Sequence, residues 1–235
     1  MPKETFNLIS DEKRTRVLDQ AARLFADRGL NQTDMAELAA RAGVAKGSLY
    51  NYFKSKDELY LHVCRHGLAR SREAVYGGID PAWDIYQQVE HIFRSGVAFA
   101  LEHPEYVSLY LNISSAGMER FAQKVSRNVE KYTANHLKRL IKKSIKQGQV
   151  RPDLDVNLTA FLINSVYIVF MVSLVSPHFK IRMAEYLDIK GALDGESIED
   201  RLTRTINLIH GFLKPSGGGQ PAPAPTPRAP RQRRK

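Results

Sequence analysis

The chain contains one cysteine, Cys64, among its 235 residues. A single thiol excludes an intramolecular disulfide framework, so the folded state must depend on an apolar core, for which the chain is long enough. The first residues, Met-Pro-Lys-Glu-Thr-Phe, contain no long apolar run, and we therefore expect no signal peptide. Both features are typical of a protein of the reducing cytoplasm.

Sequence motifs of catalysis are also missing. There is no Gly-rich phosphate loop, no nucleophile elbow and no convincing pair of carboxylates, which argues against an enzyme, and we expect no cofactor. Glu58, His62 and His66 follow one another at intervals of four residues, and two histidines at that spacing on a helix can bind zinc. Because no second cluster completes such a site, we expect an exposed helix face and no metal.

Long apolar runs are scarce, with one exception at Leu158–Val175. This run approaches the minimum length of a membrane-spanning helix. It contains Thr159, Asn164 and Ser173, and nothing else in the chain resembles a membrane element. A helix buried on all faces, between the core and a dimer partner, explains it better than a membrane does.

Acidic residues are outnumbered, with 25 Asp and Glu against 35 Lys and Arg and a net charge of +10. Five basic residues after position 227 supply half of this excess, within a Pro-rich segment. Residues 215–235 are predicted to be a disordered tail, which either stays solvated or adds salt-dependent affinity for DNA. The overall charge favours a polyanionic partner, but the local pattern described next is the stronger argument.

Apolar residues recur at helical spacing along the chain, without the alternation typical of strands, and this predicts an all-α fold. The predicted helices cover residues 12–28, 34–42, 45–52, 55–76, 80–102, 104–110, 117–147, 155–175 and 197–213. Asp80-Pro81 is the expected start of the fifth, and Ser176-Pro177 the expected end of the eighth. Val129, Tyr132 and Phe212 are expected to point inward.

Signals between residues 11 and 58 agree on one unit of short helices. Gly29 is the expected stop of the first helix, Thr33 the N-cap of the second, and Gly43 the end of the second. Residues 55–58, Ser-Lys-Asp-Glu, read as a capping box that opens the following helix.

The helix over residues 45–52 has small, hydroxylated and basic residues on the face opposite its apolar anchors. Gly47 is unusual there, because an interior glycine costs about 1 kcal/mol relative to alanine. From Arg41 to Lys56 there are four cationic residues and no acid. A helix of this kind can pack on a core and also fit a DNA major groove, so we predict sequence-specific binding to double-stranded DNA.

These residues resemble the TetR/AcrR family of bacterial regulators. The resemblance covers roughly residues 11–66 and rests on the segments Gly29-Leu30, Thr33, Ala39-x-x-Ala42-Gly43-Val44 and Lys46-Gly47-Ser48-Leu49-Tyr50-Asn51-Tyr52-Phe53-x-Ser55-Lys56-x-x-Leu59. Many members of the family carry a polar residue where this chain has Ala45. From the face and the resemblance together, the expected DNA contacts are Thr33, Ala45, Lys46, Gly47, Ser48, Tyr50, Asn51, Tyr52 and Lys56.

The resemblance implies an all-helical homodimer with an N-terminal helix-turn-helix domain, residues 1–56, and a larger effector-binding and dimerisation domain, residues 57–214. The eighth and last predicted helices of two subunits would form a four-helix bundle. This bundle would place the recognition helices about one DNA turn apart, about 34–36 Å, on a pseudo-palindromic operator. Repression is the usual activity of the family, and such a regulator would be cytoplasmic and associated with the nucleoid.

A regulator of this type responds to a small molecule, and the second domain is rich in aromatic residues that fill a core or line an apolar cavity. Such a cavity would suit an amphipathic or lipid-like effector. The candidate effector contacts are Phe93, Tyr106, Tyr110, Phe121, Phe161, Asn164, Tyr167 and Phe170. The alternative function is a DNA-bound factor that organises chromosomes or controls division.

Overall fold

A computed structural model of the chain describes residues 2–113, 115, 117–189 and 195–215, without the side chains of residues 126, 128 and 129. The described residues form helices joined by short turns, and no strand occurs among them. The all-α prediction is confirmed. The predicted tail past residue 215 and the predicted inward side chain of Val129 lie outside the described part.

The N-terminal region consists of α1 (Glu4–Asn7), α2 (Asp11–Gln32), α3 (Met35–Arg41) and α4 (Lys46–Tyr52). The predicted stop at Gly29 is confirmed by its non-helical backbone, with φ 70° and ψ 175°, and the range of α2 includes one further short helical turn, up to Gln32, beyond this kink. The predicted N-cap of α3 is wrong by one residue. Asp34 caps it, and its carboxylate accepts from the backbone N–H of Ala36 at 2.6 Å.

The middle of the chain contains α5 (Lys56–Tyr76), α6 (Ile85–Glu102), α7 (Pro104–Ile113) and α8 (Glu119–Lys146). The predicted start of α6 at Asp80-Pro81 is wrong, because those residues lie in a turn. Asp84 starts α6 through a capping box with Gln87, in which each side chain accepts from the other residue's backbone N–H.

The C-terminal part contains α9 (Val156–Val175), α10 (Pro177–Tyr186) and α11 (Gly195–Leu213). The prediction that Ser176-Pro177 ends the eighth helix is confirmed, because α9 ends at Val175 with Ser176 as its C-cap. Helix α10 was not predicted, and Pro177 occupies its first turn. Proline is tolerated there because its missing N–H has no intrahelical partner at that position.

Buried apolar residues form two clusters. One is built from α1–α5 together with residues of α7 and the start of α8, including Phe25, Leu49, Tyr60 and Leu109. The other is built largely from α6, α8, α9 and α11. Because α7 contributes to the first cluster while its neighbour α6 belongs mostly to the second, the α6–α7 corner joins the two parts of the protein.

Helix α9 is the one helix within the described ranges that is long and apolar enough to cross a membrane, with a mean hydropathy of 2.2 over 18 residues, of which 44% are buried. Within one chain this helix is buried on one side only, and its burial on the other side by a dimer partner stays a prediction. Its outer face exposes five large apolar residues: Leu158, Phe161, Leu162, Val166 and Val169.

Two residues expected to point inward are exposed. Tyr132 on α8 is 39% exposed, and Phe212 on α11 is 44% exposed while Leu213 is buried in its place. On a helix with apolar residues on more than one face, spacing alone does not decide which of them faces the core.

Candidate functional site

The turn between α3 and α4 fixes how α4 is presented. Gly43 adopts φ 65°, a left-handed conformation that favours glycine, and the N–H of Val44 donates to the carbonyl of Ala39 at 2.9 Å. Leu49 and Phe53 are fully buried in the cluster that α1–α5 form, where α4 packs mainly against α3 and α1. The opposite face of α4 is therefore directed to solvent.

Most of the predicted DNA contacts lie on this outer face. Ser48 is half-buried, and the exposed members are Ala45, Lys46, Gly47, Tyr50 and Asn51. A Cβ placed on Gly47 would have no heavy atom within 4 Å, so nothing inside the fold requires glycine there. Ala45 is the N-cap of α4 and makes no side-chain cap bond.

Two of the predicted contacts, Thr33 and Tyr52, are buried in this structure. The hydroxyl of Thr33, which is 3% exposed, donates to the carbonyl of Gly29 at 2.7 Å. The ring of Tyr52 is 7% exposed and packs against Phe6, with ring centroids 5.5 Å apart. These two side chains hold the turn and the end of α4 in place and are not presented to a ligand.

Lys56 connects the same turn to α5. Its Nζ donates to the backbone carbonyls of Asn31 and Thr33, each at 3.0 Å. The predicted capping box beside it forms only in part. Ser55 accepts from the N–H of Glu58, but the Glu58 carboxylate accepts from the N–H of Lys54 instead of that of Ser55.

The positive run at residues 41–56 is partly neutralised by an acid from the preceding helix. Glu37 forms ion pairs with Arg28 and with Arg41, the latter at 2.7 Å. The Arg28 guanidinium, more than Arg41, holds the pKa of Glu37 below its ordinary value. Lys46 has no ion-pair partner within the described part of the chain, so α4 itself stays positive.

An N-terminal contact to α4 was not predicted. Lys3 and Thr5 donate hydrogen bonds to backbone carbonyls in the last turn of α4, and Phe6 is fully buried against Tyr52 and Phe53. The available signal in the sequence was one aromatic residue, Phe6, within a short polar segment.

A second candidate site is a cavity of about 310 Å³ among α5, α6, α7, α8 and α9. Its lining is mainly apolar and includes Leu68, Val75, Phe99, Val107 and Met171. Cavities of this size and character bind small, largely apolar molecules.

Half of the predicted effector contacts line this cavity: Tyr106, Tyr110, Asn164 and Tyr167. The other four do not, and their prediction is wrong for this cavity. Phe93 and Phe170 are buried in the core beside it, and Phe121 packs against Tyr60 with ring centroids 5.3 Å apart. Phe161 is 67% exposed on the outer face of α9.

Charged and polar groups lie at one side of the cavity, between α5 and α8. The Tyr110 hydroxyl donates to the Glu130 carboxylate at 3.2 Å, and burial, with a smaller contribution from Glu130, raises the pKa of Tyr110 to about 12. The Arg72 guanidinium lies 5.3 Å from the ring centre of Tyr132. Arg65 and Lys124 are further cations in the lining of the cavity. None of these charged residues was predicted, because they come from helices far apart in sequence.

Arg70 links the cavity wall to the N-terminal helices. Its guanidinium lies 3.7 Å from the Asp19 carboxylate on α2, donates to Nε2 of His103 at 2.8 Å, and lies 5.7 Å from the ring centre of Tyr106. Nearby, the Asn112 amide donates to the carbonyl of Phe25 on α2 at 3.3 Å. The α5–α7 wall of the cavity is thus joined to α2 by polar contacts.

The residues weighed for metal binding do not form the expected exposed face. His62 packs against Phe6 and Phe53, and burial lowers its pKa to about 4. His66 is half-buried near Tyr106. Cys64 is buried at the cavity wall, and burial raises its pKa to about 12, so it is not activated as a thiolate.

The sequence and the fold both match known regulators. Residues 17–63 match the family model described as bacterial regulatory proteins of the tetR family. The chain is 30% identical over 154 residues to the HTH-type transcriptional repressor KstR2 of Mycobacterium tuberculosis, covering 63% of this chain and 74% of that protein. It is 33% identical to KstR2 of Rhodococcus jostii over 62% of this chain and 72% of that protein.

Two solved structures share the fold. A TetR family regulator from Chloroflexus aurantiacus has a TM-score of 0.67 at 22% identity, covering 92% of this chain and all of that one. The regulator FadR from Bacillus subtilis, solved in complex with stearoyl-CoA, has a TM-score of 0.66 at 18% identity, covering 85% and 98%. With its exposed α4 on a helix-turn-helix and its helical C-terminal part, the chain is a DNA-binding transcriptional regulator that belongs to the TetR family.

Proposed function

We propose that this protein is a repressor that binds a pseudo-palindromic operator as a homodimer and is released by a small amphipathic effector. The observation that carries the proposal is that α5 begins at the DNA-facing turn, through Lys56, and farther along lines the cavity from Cys64 to Tyr76. One helix therefore touches both candidate sites.

For the DNA interface, the exposure of α4 supports a division of roles. Lys46, Gly47, Tyr50 and Asn51 are exposed and would read base edges in the major groove, while Ala45 and Ser48 allow close approach. Lys56 would contact phosphate. Thr33 and Tyr52, being buried, would act by positioning these groups.

For the dimer, the outer face of α9 supports a partner subunit. Five large apolar residues are exposed along this helix, and α11 adds Leu208, 76% exposed, and Phe212. Exposed apolar surface of this extent on helices of a water-soluble regulator is typical of a protein interface. A twofold bundle of α9 and α11 would place the two α4 helices on successive major grooves.

For the effector, the cavity supports a ligand with an apolar body and a polar or anionic end. The apolar wall would hold the body, and Arg72 beside Tyr132, with Lys124 also in the lining, would supply the positive charge for the polar or anionic end. The similar FadR structure contains stearoyl-CoA, which is a molecule of this class.

Coupling between the two sites would run through α5 and α7. A ligand that moves Tyr106 would disturb Arg70 and, through Asp19, the docking of α2. The result would be a shift of population between states whose α4 helices are differently spaced.

The test is a fluorescence anisotropy titration of the purified protein on DNA from upstream of its own gene, against scrambled DNA, at two salt concentrations. Stearoyl-CoA is the probe, with coenzyme A and stearate as controls. We expect a salt-resistant preference for the upstream DNA that stearoyl-CoA weakens. Equal binding of both DNAs would contradict operator recognition there, and an unchanged preference with every probe would contradict this effector class.

A further inference from the structure

Helix α4 has only seven residues, and its last turn leaves backbone carbonyls that no residue of the helix can satisfy. The carbonyl of Leu49 accepts from the N–H of Phe53 at 2.8 Å. The carbonyls of Tyr50, Asn51 and Tyr52 come after it and need donors from elsewhere. A two-turn helix is marginal on its own, so these donors matter for its order.

Two residues near the N-terminus supply all three donors. The Nζ of Lys3 donates to the carbonyl of Tyr50 at 2.9 Å, and the backbone N–H of Lys3 donates to that of Tyr52 at 2.9 Å. The Thr5 hydroxyl donates to the carbonyl of Asn51 at 2.6 Å. The ammonium of Lys3 also lies at the negative end of the helix dipole, where a cation is favoured.

Phe6 anchors this segment to the core. It is fully buried, its ring centre lies 4.8 Å from that of Phe53, and its ring meets His62 edge-on. The segment is therefore held by the same core residues that hold α4.

We propose that residues 3–6 are a cap that positions the end of the recognition helix, with Lys3 and Thr5 as positioning residues. The side chains of Tyr50 and Asn51 start from the very turn whose carbonyls are capped. Without the cap, this turn frays, and the side chains that read bases lose their fixed direction. This inference rests on the proposed DNA-reading role of α4.

The rival explanation is that Lys3 contacts a DNA phosphate directly. Substitutions at Thr5 distinguish the cap from a phosphate contact, because the Thr5 hydroxyl carries no charge and cannot change the number of counterions released from DNA. Thr5→Val removes the donor and keeps the shape, whereas Thr5→Ser keeps the donor. Lys3→Met and Lys3→Arg form the matching pair for the ammonium.

The experiment has two readouts on the full-length protein, with Lys142→Met on the exposed face of α8 as a charge control. Amide hydrogen exchange of residues 50–53 is measured without DNA. Affinity for the preferred DNA and for scrambled DNA is then measured by anisotropy at several salt concentrations.

We expect Thr5→Val to raise the exchange rates and to lower affinity for the preferred DNA about fivefold, with an unchanged salt slope and a Tm lowered by no more than a few degrees. Thr5→Ser and Lys3→Arg should restore wild-type values.

Unchanged exchange in Thr5→Val and Lys3→Met would overturn the proposal. A salt slope reduced by about one in Lys3→Met, without faster exchange, would assign Lys3 to phosphate instead. If the wild-type protein prefers no DNA, the proposed function fails, while the exchange rates still decide whether the cap exists.

Discussion

The ammonium of Lys56, the first residue of α5, donates to the backbone carbonyl of Thr33, the residue that directly follows α2, at 3.0 Å. This bond joins α5, which lines the cavity, to the turn in front of α3. A lysine has three N–H donors, and two of them are used by Asn31 and Thr33. One donor remains for a phosphate, so Lys56 can contact DNA without releasing the turn.

Lys56→Ala should therefore weaken binding to all DNA sequences by similar factors. Loss of one phosphate contact lowers the slope of log affinity against log salt by about one. Anisotropy titrations on preferred and scrambled DNA check this, with the exposed Lys142→Ala on α8 as the control. A change in sequence preference would show that Lys56 does more than position the protein.

Gly47→Ala should separate stability from DNA binding. A Cβ at Gly47 meets nothing within 4 Å, and alanine is favoured over glycine in a helix by about 1 kcal/mol, so the free energy of unfolding should rise. If α4 enters the groove as proposed, the added methyl group should lower affinity or alter the preferred bases. Denaturant unfolding and anisotropy measure the two effects. A more stable variant with unchanged DNA binding would place Gly47 away from the groove.

The helix-turn-helix could be predicted from the sequence because its signals are local. These signals all fall between residues 43 and 55: the αL position of Gly43, the buried Leu49 and Phe53, and the N-cap of α5 at Ser55. The predicted start of α6 was wrong because two possible helix starts, Asp80-Pro81 and Asp84, lie close together in the sequence. There the Asp84–Gln87 capping box satisfied more backbone donors.

The cavity and the outer face of α9 could not be predicted in detail. Phe161 and Phe170 are both apolar residues of one helix, and their spacing does not show that Phe161 faces outward while Phe170 faces the core. The cavity wall joins residues from five helices, including Gly67 beside Tyr106, and no sequence spacing encodes such a meeting. The Arg70–Asp19 contact likewise depends on how α5 crosses α2.

Gly96→Ala should reduce effector binding while leaving the DNA surface unaltered. A Cβ at Gly96 would lie 2.4 Å from Cε2 and 2.5 Å from the hydroxyl of Tyr167, so the end of that ring must move within the cavity wall. We expect about a tenfold weaker response to stearoyl-CoA, with operator affinity unchanged without probe. Gly195→Ala, where a Cβ meets nothing within 4 Å, is the control. An unaltered probe response would show that the effector binds elsewhere.

Phe161→Glu should produce a monomer that loses most of its operator affinity. The side chain is 67% exposed on the outer face of α9, and a buried carboxylate without a partner is strongly unfavourable in an apolar interface. Light scattering after size-exclusion chromatography gives the mass, and anisotropy gives the affinity. Ile181→Glu is the matched control, because Ile181 is 64% exposed on α10, outside the proposed interface. Equal effects of both substitutions, or a dimeric Phe161→Glu protein, would contradict the proposed interface.

His62 should make the N-terminal unit sensitive to acid. Burial lowers its pKa from 6.5 to about 4 in the folded chain, with smaller contributions from His66 and Arg65, so between these values the unfolded state binds the proton more tightly. Its contribution to stability is therefore complete above pH 6.5 and is lost as the pH falls toward 4. After allowance for its partial exposure, we expect about 1 kcal/mol between pH 7 and pH 5.

Denaturant unfolding across this pH range tests the prediction with His62→Gln, which cannot be protonated and should show a shallower loss of stability on acidification. His66, His136 and His210, whose pKa values burial also lowers, stay in both proteins and contribute to the remaining slope. Amide hydrogen exchange of α4 is measured over the same pH range. His136→Gln, on α8, is the comparison variant, and it should leave this exchange unaffected at every pH. If wild-type and His62→Gln lose stability in parallel, the proton is taken up elsewhere, and the packing of His62 between Phe6 and Phe53 does not make the recognition helix acid-sensitive.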